Sequence, residues 1–176
     1  NPYPQKILKG MEDILSEDGI LIIENAYAIE TFQKGEFDQI YHEHMFYYSI
    51  ISMKNLLKRH NLHLNDIFFS SVHGGSIIFV ASRNKNESEN LLKGIENESF
   101  LFKNSLLKEF KEKSFSLKEN FLSIIKNEVN AGSVIGAYGA PAKAFTLFSF
   151  FELDRKTISF CADTTHTKIG KFFPIL

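Results

Sequence analysis

Ser133-Val134-Ile135-Gly136-Ala137-Tyr138-Gly139-Ala140-Pro141-Ala142-Lys143 is the stretch that decides the fold. An apolar run leads into a glycine turn, and proline then stands just ahead of a helix-favouring run. This is how a strand hands over to a helix. The spacing predicts a helix from about Ala142 to Phe151. Thr157-Ile158-Ser159-Phe160-Cys161-Ala162 reads as the next strand, ending at Asp163. Strand, helix and strand in that order define a β-α-β unit and a parallel pair. A new α/β unit is therefore expected to begin near residue 131 and to be cut before it finishes.

Upstream, residues 84–130 are rich in Glu, Lys, Asn, Leu and Phe. Leu91, Leu92, Ile95, Phe102, Leu106, Leu107, Phe110, Phe121 and Ile125 recur at helical spacing, so one or two amphipathic helices are expected as a connector. Further upstream still, Leu62 to Val72 and Ser76 to Ser82 read as an antiparallel pair joined across His73-Gly74-Gly75. Ser52 is the expected N-cap of a helix carrying Leu56, Leu57 and His60. Thr31 to Ile40 reads as loop. Near the start, Ile7, Leu8, Met11, Ile14 and Leu15 mark a helix, and Asp18-Gly19 a turn. The continuous run Ile20-Leu21-Ile22-Ile23 suggests a strand buried on both faces, as in a parallel sheet. Glu24 and Asn25 would then stand at a carboxyl end, where ligands of open α/β sheets bind.

The totals exclude several classes. Of 176 residues, 20 are basic and 21 acidic, giving a formal net charge of -1, which makes no electrostatic case for nucleic acid or an anionic membrane. No apolar run approaches the ~20 residues that cross a bilayer. The single cysteine, Cys161, rules out a disulfide framework and a cysteine-based zinc site within these residues, and a reduced cytoplasmic setting is expected. The first residue is not methionine and the apolar Phe172-Phe173-Pro174-Ile175-Leu176 carries no stop signal, so the chain reads as a fragment.

Three clusters hold chemistry. Tyr41-His42-Glu43-His44 puts two imidazoles beside a carboxylate and a phenol. A histidine with a neighbouring carboxylate is a poised base near neutral pH, and a tyrosine hydroxyl can donate to a developing enolate oxygen. The same residue types suit zinc or iron, and a polar loop whose histidines serve structure is an equally plain reading. His73-Gly74-Gly75-Ser76 fits a tight hairpin turn, or a close approach of backbone to a ligand. Gly136 to Lys143 offers a phosphate-friendly helix start with an added cation, but lacks the third glycine of a dinucleotide fingerprint and the Gly-Lys-Ser/Thr of a P-loop.

Taken in order, Glu36 to His44, His73 to Ser76, Gly136 to Lys143 and Asp163-Thr164-Thr165-His166-Thr167-Lys168-Ile169-Gly170-Lys171 resemble the S-adenosylmethionine-dependent sugar C-methyltransferase family. The resemblance covers essentially the whole chain, and its Tyr-His-Glu-His motif is the specific part. It implies an α/β architecture. Residues 1–83 would be the C-terminal part of a class I, Rossmann-like methyltransferase domain, 84–130 a helical connector, and 131–176 the start of a second Rossmann-like C-terminal domain. It implies S-adenosylmethionine as cofactor, a nucleotide-linked keto-deoxysugar as substrate and zinc in a segment upstream. His44 would be the base, with Glu43 orienting or tuning a histidine and Tyr41 on the enolate oxygen. His42, His73, Gly74, Gly75, Ser76, Tyr138, Gly139 and Lys143 would hold the substrate, and Glu24 and Asn25 the cofactor. Asp163 and Lys168 are further candidates. Two rivals remain: a dinucleotide-binding oxidoreductase, in which Asp163 would sit at the end of the second strand, and a non-catalytic sugar-nucleotide-binding module.

Overall fold

The structure, a computed structural model, describes residues 3–172, the side chain of His73 excepted. Residues 1, 2 and 173–176, including most of the apolar terminal stretch, lie outside the described residues. The chain folds into two compact units, one of residues 3–34 with 45–110, the other of 35–44 with 111–172.

The first unit opens with α1 (Pro4–Ile14), which has proline in its first turn, where no intrahelical N–H is required. Then come β1 (Ile20–Ala26), α2 (Ala28–Lys34), α3 (Ile50–Lys58), β2 (His63–Ser70), β3 (Ser76–Ser82) and α4 (Glu89–Lys103). Thr31 to Lys34 is therefore helix, not loop: Ala28, Ile29 and Thr31 are buried on one side of α2, and packing that face overrides the mixed local composition. The N-cap of α3 is Ser49 instead of Ser52. Ser49 Oγ accepts from the Ser52 N–H at 3.2 Å while Ser52 Oγ accepts from the Ser49 N–H at 2.8 Å, a reciprocal capping box. The helix stops at Lys58, short of His60.

The sheet has the order β1-β3-β2 and is antiparallel throughout. The hairpin of β2 and β3 is as expected. The expectation for Ile20 to Ile23 is corrected: β1 pairs with β3 in antiparallel fashion, and its exposure alternates, with Ile20 and Ile22 at 65% and 67% while Leu21 and Ile23 turn toward the core. A four-residue apolar run has the same composition whether one or both faces are covered, so it could not report the exposed face. Beneath the sheet, Ile50, Leu57, Ile67, Ile77, Phe79 and Leu91 have no exposed surface.

α5 (Leu106–Asn130) gives its first residues to this unit and the rest to the second. The 84–130 stretch thus holds two helices. The second unit adds β4 (Gly136–Tyr138), α6 (Ala142–Phe151) and β5 (Phe160–Ala162), with β4 and β5 paired in parallel as the opening stretch predicts. Its interior is aromatic: Phe37, Phe148 and Phe151 are buried with Leu153 and Ile158. Residues 35–44 fold here, with a short 3-10 turn at Phe37–Gln39.

Candidate active site

In the second unit, the turn after Gln39 brings Tyr41 and His44 together. The Tyr41 hydroxyl lies 3.1 Å from His44 Nε2 and the rings stand 4.4 Å apart. The His44 N–H donates to the Tyr41 carbonyl at 3.0 Å, so one turn of backbone fixes the side-chain pair. Both side chains are half-buried. When the hydroxyl donates, Nε2 carries a lone pair, which is the form a base requires. His42 and Glu43 point outward, with side chains 79% and 62% exposed and His42 Nε2 3.9 Å from Glu43 Oε1. The carboxylate of the motif thus stands beside His42, and the phenol beside His44. Among the described residues, no group of three or more His, Cys, Asp or Glu is placed to hold a metal ion.

Three devices on α6 hold this segment. Lys143 Nζ pairs with Asp38 Oδ2 at 3.0 Å, and the Thr146 hydroxyl donates to the Ile40 carbonyl at 3.0 Å. The buried Phe37 ring meets Phe150 at 4.5 Å and Phe151 at 5.5 Å between centroids. At the start of the helix, Gly139 has φ +88°, a left-handed conformation that favours glycine. The Gly139 N–H donates to the Ala162 carbonyl at 2.7 Å and the Ala140 N–H to Asp163 Oδ2 at 2.7 Å. Lys168 Nζ donates to the Ala140 carbonyl at 2.8 Å and stands 3.3 Å from Asp163 Oδ2. Both backbone polar groups of Ala140, which belong to successive peptide units, are therefore clamped. The Asp163 carboxyl is held far below the ordinary carboxylate range, first by the Thr165 N–H and then by the Ala140 N–H. Tyr138 is exposed at the end of β4.

Beside the turn lies a cleft of about 1120 Å³ lined by His42, Ala140, Phe145, Arg155, Phe160, Asp163, Lys168 and Lys171 among others. Tyr138, Gly139 and Lys143 are not in its wall. Arg155 carries no signal in the sequence beyond its charge.

In the first unit, Glu24 is exposed and Asn25 half-buried, opposite Ile78 and Ile77 of β3. The glycine pair is accounted for by the hairpin. Gly75 has φ +140°, and a Cβ there would lie 1.9 Å from Glu30 Oε2. Lys34 Nζ donates to the Gly74 carbonyl, and the Tyr27 N–H donates to the Gly75 carbonyl at 3.1 Å. Ser76 is buried, with its hydroxyl donating to the Val72 carbonyl at 3.1 Å. A residue unforeseen in the sequence reading is Glu98 of α4, which has no exposed surface. It accepts from the Ile50 N–H at 2.7 Å, the Ile51 N–H at 2.9 Å and the Tyr27 hydroxyl at 3.1 Å. A carboxylate thus satisfies two open N–H groups at the start of α3 and complements its dipole. Burial, and then this carboxylate, push the Tyr27 phenol far above its usual range. The spacing 91, 95, 98 places Glu98 on the face of the buried Leu91, a signal visible in the sequence.

A parallel β-α-β unit with a clamped glycine turn defines an α/β protein, and the tyrosine–histidine pair in the same unit is its candidate site. Residues 71–176 match the model of the C-methyltransferase C-terminal domain, and the chain belongs to that family. It is similar to the C-methyltransferase NovU of Streptomyces niveus, 29% identical over 178 residues covering 98% of this chain and 42% of that protein. The chain thus spans less than half the length of the curated relative it matches. The Tyr41 to His44 segment lies outside the matched span 71–176, although it folds into one unit with residues 111–172.

Proposed function

We propose that this chain is part of a methyltransferase that uses S-adenosylmethionine to methylate a carbon of a nucleotide-linked keto-deoxysugar. The observation that carries the reading is the Tyr41–His44 pair at 3.1 Å. A ketone acidifies the adjoining C–H bond. Nε2 of His44 takes that proton, the C–H electron pair becomes the enolate double bond, and the carbonyl π pair moves to oxygen. The Tyr41 hydroxyl turns from Nε2 to donate to that oxygen, which frees the base as charge develops. S-adenosylmethionine supplies an electrophilic methyl when bound. The enolate carbon would accept that methyl as the sulfonium's C–S bond breaks, and His44 would return its proton to water.

His42, Tyr138 and Gly139 are the second-unit residues assigned to the sugar nucleotide, and His42 lines the cleft beside Arg155 and Lys168. In the first unit, Glu24 and Asn25 stay the candidates for the cofactor, but as neighbours in β1 they point to opposite faces of the sheet, so only one of them can meet a given ribose, and the exposed Glu24 carboxylate is the better placed. They do not by themselves enclose an adenosine. We assign the antiparallel sheet to the tail of a class I methyltransferase sheet and the β4-α6-β5 unit to a Rossmann-like fold. A cytoplasmic setting goes with this reading. Among the described residues, no helix is long and apolar enough to cross a membrane.

The oxidoreductase reading draws on the acid at the end of β5. In a dinucleotide site that carboxylate accepts from a ribose. Here Asp163 already accepts from Ala140, Thr165 and Lys168, which weakens that role. A His44→Asn enzyme of full length tests the proposal. Deuterium exchange at the carbon beside the ketone, measured over a panel of nucleoside-diphosphate-linked keto-deoxysugars, should vanish with methyl transfer, whereas near wild-type turnover with an intact fold removes His44 from the role. A non-catalytic binding module would show no exchange even in the parent protein. Binding of NADH in preference to S-adenosylmethionine by the intact protein would favour the oxidoreductase.

A further inference from the structure

We infer that α6 is a strap for the catalytic segment, with Lys143, Thr146 and Asp38 acting as positioning residues for the Tyr41–His44 pair and not as ligands of the substrate's phosphates. The inference rests on the reading of His44 as the base. Lys143, Thr146 and Phe150 are spaced at i, i+3 and i+7, so they share one side of the helix. Each takes hold of a different residue just ahead of Tyr41. Lys143 takes the Asp38 carboxylate, Thr146 the Ile40 carbonyl and Phe150 the Phe37 ring.

A phosphate-binding lysine should present its charge to the ligand. The Lys143 ammonium instead has a carboxylate 3.0 Å away, and both side chains are partly buried, at 43% and 28% exposure. The helix is itself fixed at its start, because Asp163 and Lys168 hold Ala140 by its N–H and its carbonyl. A continuous set of contacts therefore runs from Asp163 through the turn and α6 to residues 37–40, within one compact unit. The carbon acid presents a single proton, so a base displaced by an ångström loses on the order of a hundredfold in rate. Rigid attachment of residues 37–40 is what such a base requires.

The test compares Asp38→Lys, Lys143→Asp, the double exchange D38K/K143D and Thr146→Val in the intact protein. Methyl transfer to whichever nucleoside-diphosphate-linked keto-deoxysugar of that panel the parent protein turns over gives kcat and KM. The side-chain ¹⁵N resonances of His44 report its hydrogen bond to Tyr41 without any substrate, and circular dichroism checks the fold. Each single charge variant should lower kcat by about ten- to a hundredfold, with KM within about twofold, and should shift the His44 resonances. The double exchange should regain most of both, because it restores the ion pair with reversed sign. Thr146→Val should cost a few-fold in kcat and shift the same resonances, and it carries the test if a charge variant fails to fold. A raised KM for Lys143→Asp with no recovery in the double exchange overturns the inference, since an aspartate cannot hold a diphosphate. Unmoved His44 resonances across the set overturn it as well. His44→Asn measured alongside separates the two readings: full turnover there removes the base, while the resonance shifts judge the strap independently.

Discussion

The two units of this chain are stabilised by different means, and the proposed chemistry falls in the more loosely buried one. In the first, Ile50, Leu57, Ile67, Ile77, Phe79 and Leu91 are fully sealed, and even the polar Glu98 is. In the second, the buried residues number fewer, Phe37 and Phe148 keep 7% and 8% of their surface, and the turn and the Tyr41–His44 segment are fixed by hydrogen bonds and ion pairs. A sealed core gives stability by removing apolar area from water. A clamp of directional bonds gives placement, because its energy is net small while its geometry is narrow. Mutations in the two units should therefore separate into losses of stability and losses of rate.

The largest separation should come from His44→Asn. A positioned general base contributes about 10²–10⁴ in rate, so turnover should fall by that factor while the melting temperature stays within a degree or two, checked by steady-state kinetics and calorimetry. An equal fall in stability would break the contrast. From the other side, Glu98→Ala leaves the Ile50 and Ile51 N–H groups and the Tyr27 hydroxyl without their acceptor in a buried place. At about 1–3 kcal/mol per unsatisfied group, only partly additive, the first unit should lose about 2–5 kcal/mol in a urea titration. Gly75→Ala comes next. Left-handed backbone and a Cβ lodged against Glu30 should cost about 1–3 kcal/mol in the same titration, without a direct effect on the Tyr41–His44 resonances.

The smallest effect sharpens the clamp. The Asp163 carboxyl is held below its unfolded value, so its contribution is complete above the unfolded range, near pH 4, and fades as pH falls toward the folded value. Thermal melts of Asp163→Asn and of the parent should differ most at neutral pH and converge in strong acid. A constant difference between pH 2 and pH 7 would show that the carboxylate charge is not what fixes the turn.

Much of the fold was legible in single segments. Helical spacing in residues 84–130 reported α4 and α5, and the run from Ser133 through Lys143 reported a strand, a turn and the start of α6, because these signals are local. The β2–β3 hairpin was legible for the same reason. The alternation along β1 was not, since Ile20 and Ile22 look like core residues until the sheet shows which face is covered. Nor was α2, whose helix depends on what Ile29 and Thr31 pack against. The Tyr-His-Glu-His motif supplied the candidate groups, yet only the turn at Tyr41 decided that the phenol, and not the carboxylate, stands beside His44.

By itself, then, the sequence determined most of the element types, α2 excepted, the parallel β-α-β order after residue 131, and the inventory of acids, bases and glycines. Tertiary structure decided which of those groups meet: Lys143 with Asp38, Asp163 with the Ala140 peptide, Glu98 with the start of α3. The physical reason is range. Propensity and periodicity act over a few neighbouring residues, whereas these partners lie between 23 and 105 positions apart along the chain and are joined only once the helices and strands have packed.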